Sequence, residues 1–242
     1  MGIYIGTSGW SYDHWEGVLY PEGIPKIRRL DYYVEKFYTV EVNSTYYHWA
    51  RDTTFANWCR RVPNEFIMTI KAYRGLTHFS RLYAPEKWMK RIIRGLINLD
   101  DKRGVLLVQL PPSLEYDYPR LEYFLKQIPE WMKVAVEFRH SSWHRDDIFE
   151  LLNHYNVAYC VMSGAQLPCI LRATAQFVYV RFHGPSHEHL YSGFYSDNDL
   201  KWWADRFNEW DSMNFDVFAY FNNDADGNAV RNAETLKAIL KV

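Results

Sequence analysis

The chain has 242 residues, with 28 Lys and Arg against 29 Asp and Glu, for a formal net charge of -1. Hydrophobic residues at 48% and charged residues at 24% exclude a disordered, collagen-like or highly charged tail protein. The charge balance also argues against bulk attraction to nucleic acid or a membrane surface.

In chain order, apolar β-branched runs alternate with segments of helical period. Strands are predicted to begin near Ile3, Thr39, Phe66, Val105, Val134, Val157, Phe177 and Val217, about 30 residues apart, the size of a βα unit. Apolar residues at i, i+3, i+4, i+7 predict helices through Leu30, Tyr33, Val34 and Phe37, and through Leu121, Phe124, Leu125 and Ile128. The same pattern recurs at Ile148, Leu151, Leu152 and Tyr155, and at Leu200, Trp203, Ala204 and Phe207. Ser196-Asp197-Asn198-Asp199 reads as a helix start, and a last helix is expected from Ala229 to Leu240. Only the sixth unit looks irregular, with Leu167-Pro168 where a helix should lie.

Strict alternation implies a parallel sheet covered by helices. Eight units predict a single (β/α)8 TIM barrel over residues 1–242, with one irregular unit around the sixth strand. An open doubly wound sheet is the competitor, but Gly6-Thr7-Ser8-Gly9 lacks the spacing of a dinucleotide or P-loop fingerprint. Three scattered cysteines, Cys59, Cys160 and Cys169, are too few for a disulfide framework or a zinc knuckle. No apolar stretch approaches ~20 residues, and the N-terminal run lacks the basic start of a signal peptide. A cytoplasmic protein with no membrane association is expected.

In such a barrel, function sits at the carboxyl ends of the strands, and side-chain alternation selects the residues facing away from the helices. In Val40-Glu41-Val42-Asn43 these are Glu41 and Asn43, and after Val134 and Val136 they are Glu137 and Arg139. Val178, Val180 and Phe182 leave Tyr179, Arg181 and His183. Lys71 and Gln109 follow by parity with Thr69 and Leu107. Asn222, Asn223 and Asp224 follow the last strand, and which of them points inward is left open. Buried charge is costly unless paired or functional, so charged or amide groups at six of eight strand ends argue for a site. A structural ion-pair network of Glu41, Glu137, Arg139 and Arg181 is the alternative. Trp10, Trp15, Tyr46 and Trp143, just past strand ends, are candidate stacking platforms or core rings. His183, His187 and His189 with Glu188 match no zinc signature, so no cofactor is predicted, and a metal is kept as the less favoured alternative.

Several of these stretches also form a recognisable set. Ile5-Gly6-Thr7-Ser8-Gly9-Trp10-Ser11-Tyr12 with Trp15 and Gly17, Val40 through Tyr47, Thr77-His78, and Gln109-Leu110-Pro111-Pro112-Ser113 occur in order. Glu137-Phe138-Arg139-His140 with Ser142-Trp143, Tyr179 through Gly184, and Tyr220 through Asp224 complete it. The chain resembles the YecE-like family, domain of unknown function 72, over essentially its whole length. The resemblance implies a TIM barrel and no established activity. It also implies an Asp after the sixth strand in many relatives, where this chain has Met162-Ser163-Gly164; if that Asp is catalytic, activity here is altered.

The leading expectation is an enzyme acting on a small anionic substrate, phosphorylated or carboxylated, by hydrolase, lyase or isomerase chemistry. Arg139, Arg181 and Lys71 would hold the anion, with Asn43, Gln109, Tyr46, Trp10, Trp143, Asn222, Asn223 and Asp224 lining the site. Glu137 or Glu41 would act as general base and His183 as acid, and Lys71 is alternatively a Schiff-base lysine. Two other classes stay open: a nucleic-acid-binding protein using aromatic and basic residues, and a glycoside hydrolase using Glu41 and Glu137. The oligomeric state is not specified by the sequence.

Overall fold

Apolar alternation gives strands, and the longer periodic segments give helices, in the computed structural model, which describes residues 2–242. The order is β1 (Ile3–Thr7), α1 (Arg29–Lys36), β2 (Thr39–Val42), α2 (Ser44–Tyr47), α3 (Asp52–Arg61), β3 (Ile67–Lys71), α4 (Glu86–Ile97) and β4 (Arg103–Gln109). It continues with α5 (Tyr118–Leu125), β5 (Val134–Glu137), α6 (Asp146–His154), β6 (Ala158–Ser163), β7 (Phe177–Phe182), α7 (Asp197–Ser212), β8 (Asp216–Phe221) and α8 (Asn228–Leu240). The strands form a sheet in the order β1-β8-β7-β6-β5-β4-β3-β2, and a parallel bridge between Ser8 and Glu41 links its two terminal strands. That cyclic order defines a (β/α)8, TIM-barrel-like fold. Among the described residues no helix separates β6 from β7, the irregular unit expected around Pro168.

The chain divides into two compact units. The first holds residues up to Glu41 together with Val161–Leu171 and Gln176–Val242. Here β7 and β8 run in parallel from Phe177 opposite Asp216 to Phe182 opposite Phe221. The Phe182 ring stacks on Phe221 with centroids 4.2 Å apart and meets Trp203 and Phe207 of α7 edge-on or tilted. The row Val178, Val180, Phe182 therefore faces helix, and Tyr179 and Arg181 lie on the other face, since neighbours alternate along a strand. The helix start at Ser196 is a reciprocal capping box: the Ser196 hydroxyl accepts from Asp199 N–H, and the Asp199 carboxylate accepts from Ser196 N–H.

The second unit holds Val42–Cys160 with Arg172–Ala175. Its strands β3, β4 and β5 pair in parallel, Lys71 opposite Leu107 and Gln109 opposite Glu137, with a register shift between Met68 and Ile70. In α6 the buried residues are Ile148, Phe149, Leu151 and Leu152, whereas α5 ends at Leu125 and leaves Ile128 beyond it. Gly95, inside α4, serves close packing: a Cβ there would lie 2.7 Å from the Phe55 ring of α3. The three cysteines are thiols. No helix among the described residues is long and apolar enough to cross a membrane.

Candidate functional site

In the first unit, Glu41 ends up fully buried just before the carboxyl end of β2. Its carboxylate accepts from the Arg181 guanidinium at 2.7 Å, from Ser8 Oγ at 2.6 Å and from the Tyr179 hydroxyl at 2.5 Å. Burial, reinforced by the Glu41 charge, holds the Tyr179 phenol well above its ordinary range, so it stays protonated and donates. The sequence assigned Arg181 to a ligand; the structure gives it a carboxylate partner from its own unit, both side chains 0% exposed.

His183 follows β7. Its Nδ1 lies 3.3 Å from the Asn222 amide, and its ring meets Tyr191 at 5.4 Å. The chain then turns at Gly184, where φ is +95° and a Cβ would stand 2.1 Å from the Ser192 carbonyl, so no other residue fits. Asn222 is thus the member of the Asn-Asn-Asp run that meets a site residue. Asn223 instead donates to Gly193 O and to Asn232 Oδ1, tying the end of β8 to the loop after β7 and to α8. Ser163 sits where relatives were expected to carry Asp. Its carbonyl accepts from His183 N–H at 2.6 Å and from the Tyr195 hydroxyl at 2.9 Å.

Asp224 holds the buried Trp15: the indole Nε1–H donates to Oδ1 at 2.6 Å, and His14 Nε2 lies 3.0 Å from Oδ2. Two influences oppose at this carboxyl, and burial outweighs the lowering pull of His14 and the indole, raising its pKa to about 6. The unfolded value is about 3.9, so the native state keeps the extra proton between these limits. The resulting stability is complete below pH 4 and is lost as pH rises through 6, on the order of 3 kcal/mol. The expected result is that Asp224→Asn matches wild type below pH 4 and melts above it at pH 7.5. Parallel melting curves across that range for both proteins would refute it. Trp10 is half-buried, its carbonyl accepting from the Tyr20 hydroxyl at 2.8 Å.

In the second unit, Glu137 is buried at the end of β5 and accepts from Arg139 Nε, while the buried Cys160 thiol approaches its other oxygen at 3.7 Å. Arg139, like Arg181, is thus engaged by a glutamate. Gln109 stands opposite Glu137 in the sheet register and is half-buried. Trp143 does not serve as an open platform. It is 1% exposed, stacks on Phe138 at 5.0 Å and donates Nε1–H to Leu114 O.

Beyond β3 and β2 the same unit gathers a group that only partly overlaps the sequence-derived set. Lys71 Nζ lies 4.7 Å from the Tyr46 ring centroid, and the His78 ring meets Tyr46 edge-on at 5.1 Å. Thr45 Oγ1 lies 2.8 Å from Val42 O and 2.7 Å from Lys71 O, sharing its proton and fixing α2 against the end of β3. Asn43, ahead of that short helix, has a buried Oδ1 without a hydrogen bond. Arg74 lies against the rings of Tyr47 and Phe79, and its Nε is buried with no hydrogen-bond partner. Burial, and then the positive charges of Lys71 and Arg74, push the His78 pKa below its ordinary value. Sequence reasoning selected Asn43, Tyr46 and Lys71 and missed Arg74 and His78, which lie past the strand where alternation no longer applies. The Thr77-His78 pair within the family motifs was the available signal. Among the described residues, no three His, Cys, Asp or Glu side chains gather as a metal-binding set. Glu188 and His189 direct their backbone N–H groups to Ser186 Oγ in a local turn.

The strand order defines a (β/α)8 protein, with one buried carboxylate–guanidinium pair at strand ends in each unit. The chain belongs to the family described as protein of unknown function DUF72, which matches residues 4–242. It is similar to UPF0759 protein YunF of Bacillus subtilis strain 168, at 26% identity over 99% of this chain and 95% of that protein. It is also similar to UPF0759 protein YecE of Escherichia coli K12, at 25% identity over 58% of this chain and 50% of that protein. Among solved structures, a DUF72 family protein of Thermotoga maritima MSB8, TM1631, superimposes with a TM-score of 0.90 at 29% identity, covering all of both chains. A second, EF0366 of Enterococcus faecalis V583, superimposes with a TM-score of 0.83 at 19% identity over 99% of this chain and 96% of that one.

Proposed function

We propose that the protein is an enzyme acting on a small anionic substrate by acid–base chemistry, with Lys71 and Arg74 receiving the anion. The observation that carries this reading is Arg74: a guanidinium whose charge acts with that of Lys71 on the same imidazole, with a buried donor that lacks an acceptor. A buried N–H without a partner costs about 1–3 kcal/mol, and a bound oxyanion would relieve that cost through a charge-assisted hydrogen bond. Asn43 Oδ1, a buried acceptor without a donor, suits a substrate hydroxyl. Lys71 acts here as a charge rather than as a Schiff-base nucleophile, its Nζ placed over the Tyr46 ring. Arg139 holds Glu137, of the same unit, in place as the acid–base group.

Phosphate binding only the folded state would raise the melting temperature by linkage, worth ~2.7 kcal/mol at a concentration 100 times its Kd. Arg74→Ala is expected to abolish that rise while changing stability in phosphate-free buffer by only about 1 kcal/mol, the value of its exposed ring contacts. A phosphate shift unchanged in this variant and in Lys71→Ala would end the assignment.

A further inference from the structure

His78 lies in the turn Gly75–Phe79, which is π-helical: Ser80 N–H donates to Gly75 O at 2.9 Å, five residues back. Such single turns are rare and frequent at functional sites. This one depends on Gly75, because a Cβ there would stand 2.4 Å from the Tyr73 ring and 2.6 Å from the Trp88 ring. The turn sets the His78 imidazole against Tyr46, whose ring also faces Lys71, and brings it within the field of Arg74.

We infer that Lys71, Arg74 and His78 form a subsite for a phosphoryl group borne by the substrate, and that His78 gains a proton as that group binds. The inference rests on the anionic-substrate reading and deepens it. A carboxylate offers two oxygens and one negative charge; a phosphate monoester offers three peripheral oxygens and close to two charges at neutral pH. Three cationic groups match them: the Lys71 ammonium, the Arg74 guanidinium with its unpartnered Nε–H, and an imidazolium. His78 Nδ1 lies 2.8 Å from Thr77 Oγ1, so Nε2 is the nitrogen left for a ligand. The charges acting on the ring are Lys71 and Arg74, both positive, and they disfavour imidazolium while the subsite is empty. A bound dianion reverses that field, and an opposite charge at contact favours the protonated ring. The proton comes from solvent to Nε2; Nδ1–H then donates to Thr77 and Nε2–H to a phosphoryl oxygen.

The test is calorimetric titration at pH 7 with inorganic phosphate, methyl phosphate and acetate, each in buffers of different ionisation enthalpy. Proton uptake by His78 is the difference between wild type and His78→Gln, which removes the ligand's own titration from the comparison. Methyl phosphate is expected to bind with net uptake that vanishes in the variant, acetate at least ten-fold more weakly. By NMR, the His78 titration midpoint should rise on the order of one pH unit with methyl phosphate bound. Binding of methyl phosphate without uptake traceable to His78, equal affinity for acetate, or binding of inorganic phosphate while the ester is refused would each overturn the inference and leave the anion site standing. No binding of any of the three anions would remove the anion site itself.

Discussion

Arg181→Ala is expected to lose on the order of 3–5 kcal/mol of unfolding free energy, because it leaves the Glu41 carboxylate buried with its cation gone. Glu41 is fully buried, and the two neutral donors that remain, Ser8 Oγ and the Tyr179 hydroxyl, cannot supply the missing charge. A loss of that size is about a fifth or more of the stability of an ordinary domain. It would show as a lower urea midpoint with an unchanged slope, since the surface exposed on unfolding is the same. Converting both partners to apolar residues of similar size, as in Arg181→Met with Glu41→Leu, should restore much of the loss, because a buried pair gains little over well-packed hydrophobic side chains. A single-variant loss below about 1 kcal/mol, the range of solvated pairs, would show that water reaches this glutamate.

Trp143→Ala should cost a comparable ~3–5 kcal/mol, the usual range for truncating a buried aromatic. The change removes the stack on Phe138 and leaves the Leu114 carbonyl without its indole donor. Trp143→Phe keeps most of the ring packing and loses the hydrogen bond, so its cost should fall nearer 1–3 kcal/mol. Chemical denaturation with binding of phosphate measured in parallel separates the two roles of this residue. A stacking platform would lose ligand affinity at unchanged stability, and that pattern would contradict a core tryptophan.

Much of the architecture was legible because a short repeat encodes it. Strand starts predicted at Ile3, Thr39, Val134 and Phe177 coincide with the observed ones, since β-branched runs bounded by polar residues have few other solutions. The split of β7 into a helix-facing row and the Tyr179–Arg181 row follows from a period of two. The helix α3 was not among the predicted helices, although Phe55, Trp58, Cys59 and Val62 keep the i, i+3, i+4, i+7 spacing; Phe55 is its one buried residue. Pairing was beyond any local rule. That Arg181 reaches Glu41, 140 positions away, is a product of the folded chain. Arg74 and His78 were missed for a different reason: a π-turn has a period of neither two nor 3.6 residues, so no pattern search aimed at strands or helices reaches them.

Ser163 takes part in the fold through its carbonyl, which holds both the His183 amide and the Tyr195 hydroxyl. The backbone tether is therefore indifferent to which side chain the codon at this position specifies. A substitution at residue 163 leaves the carbonyl that makes both contacts in place.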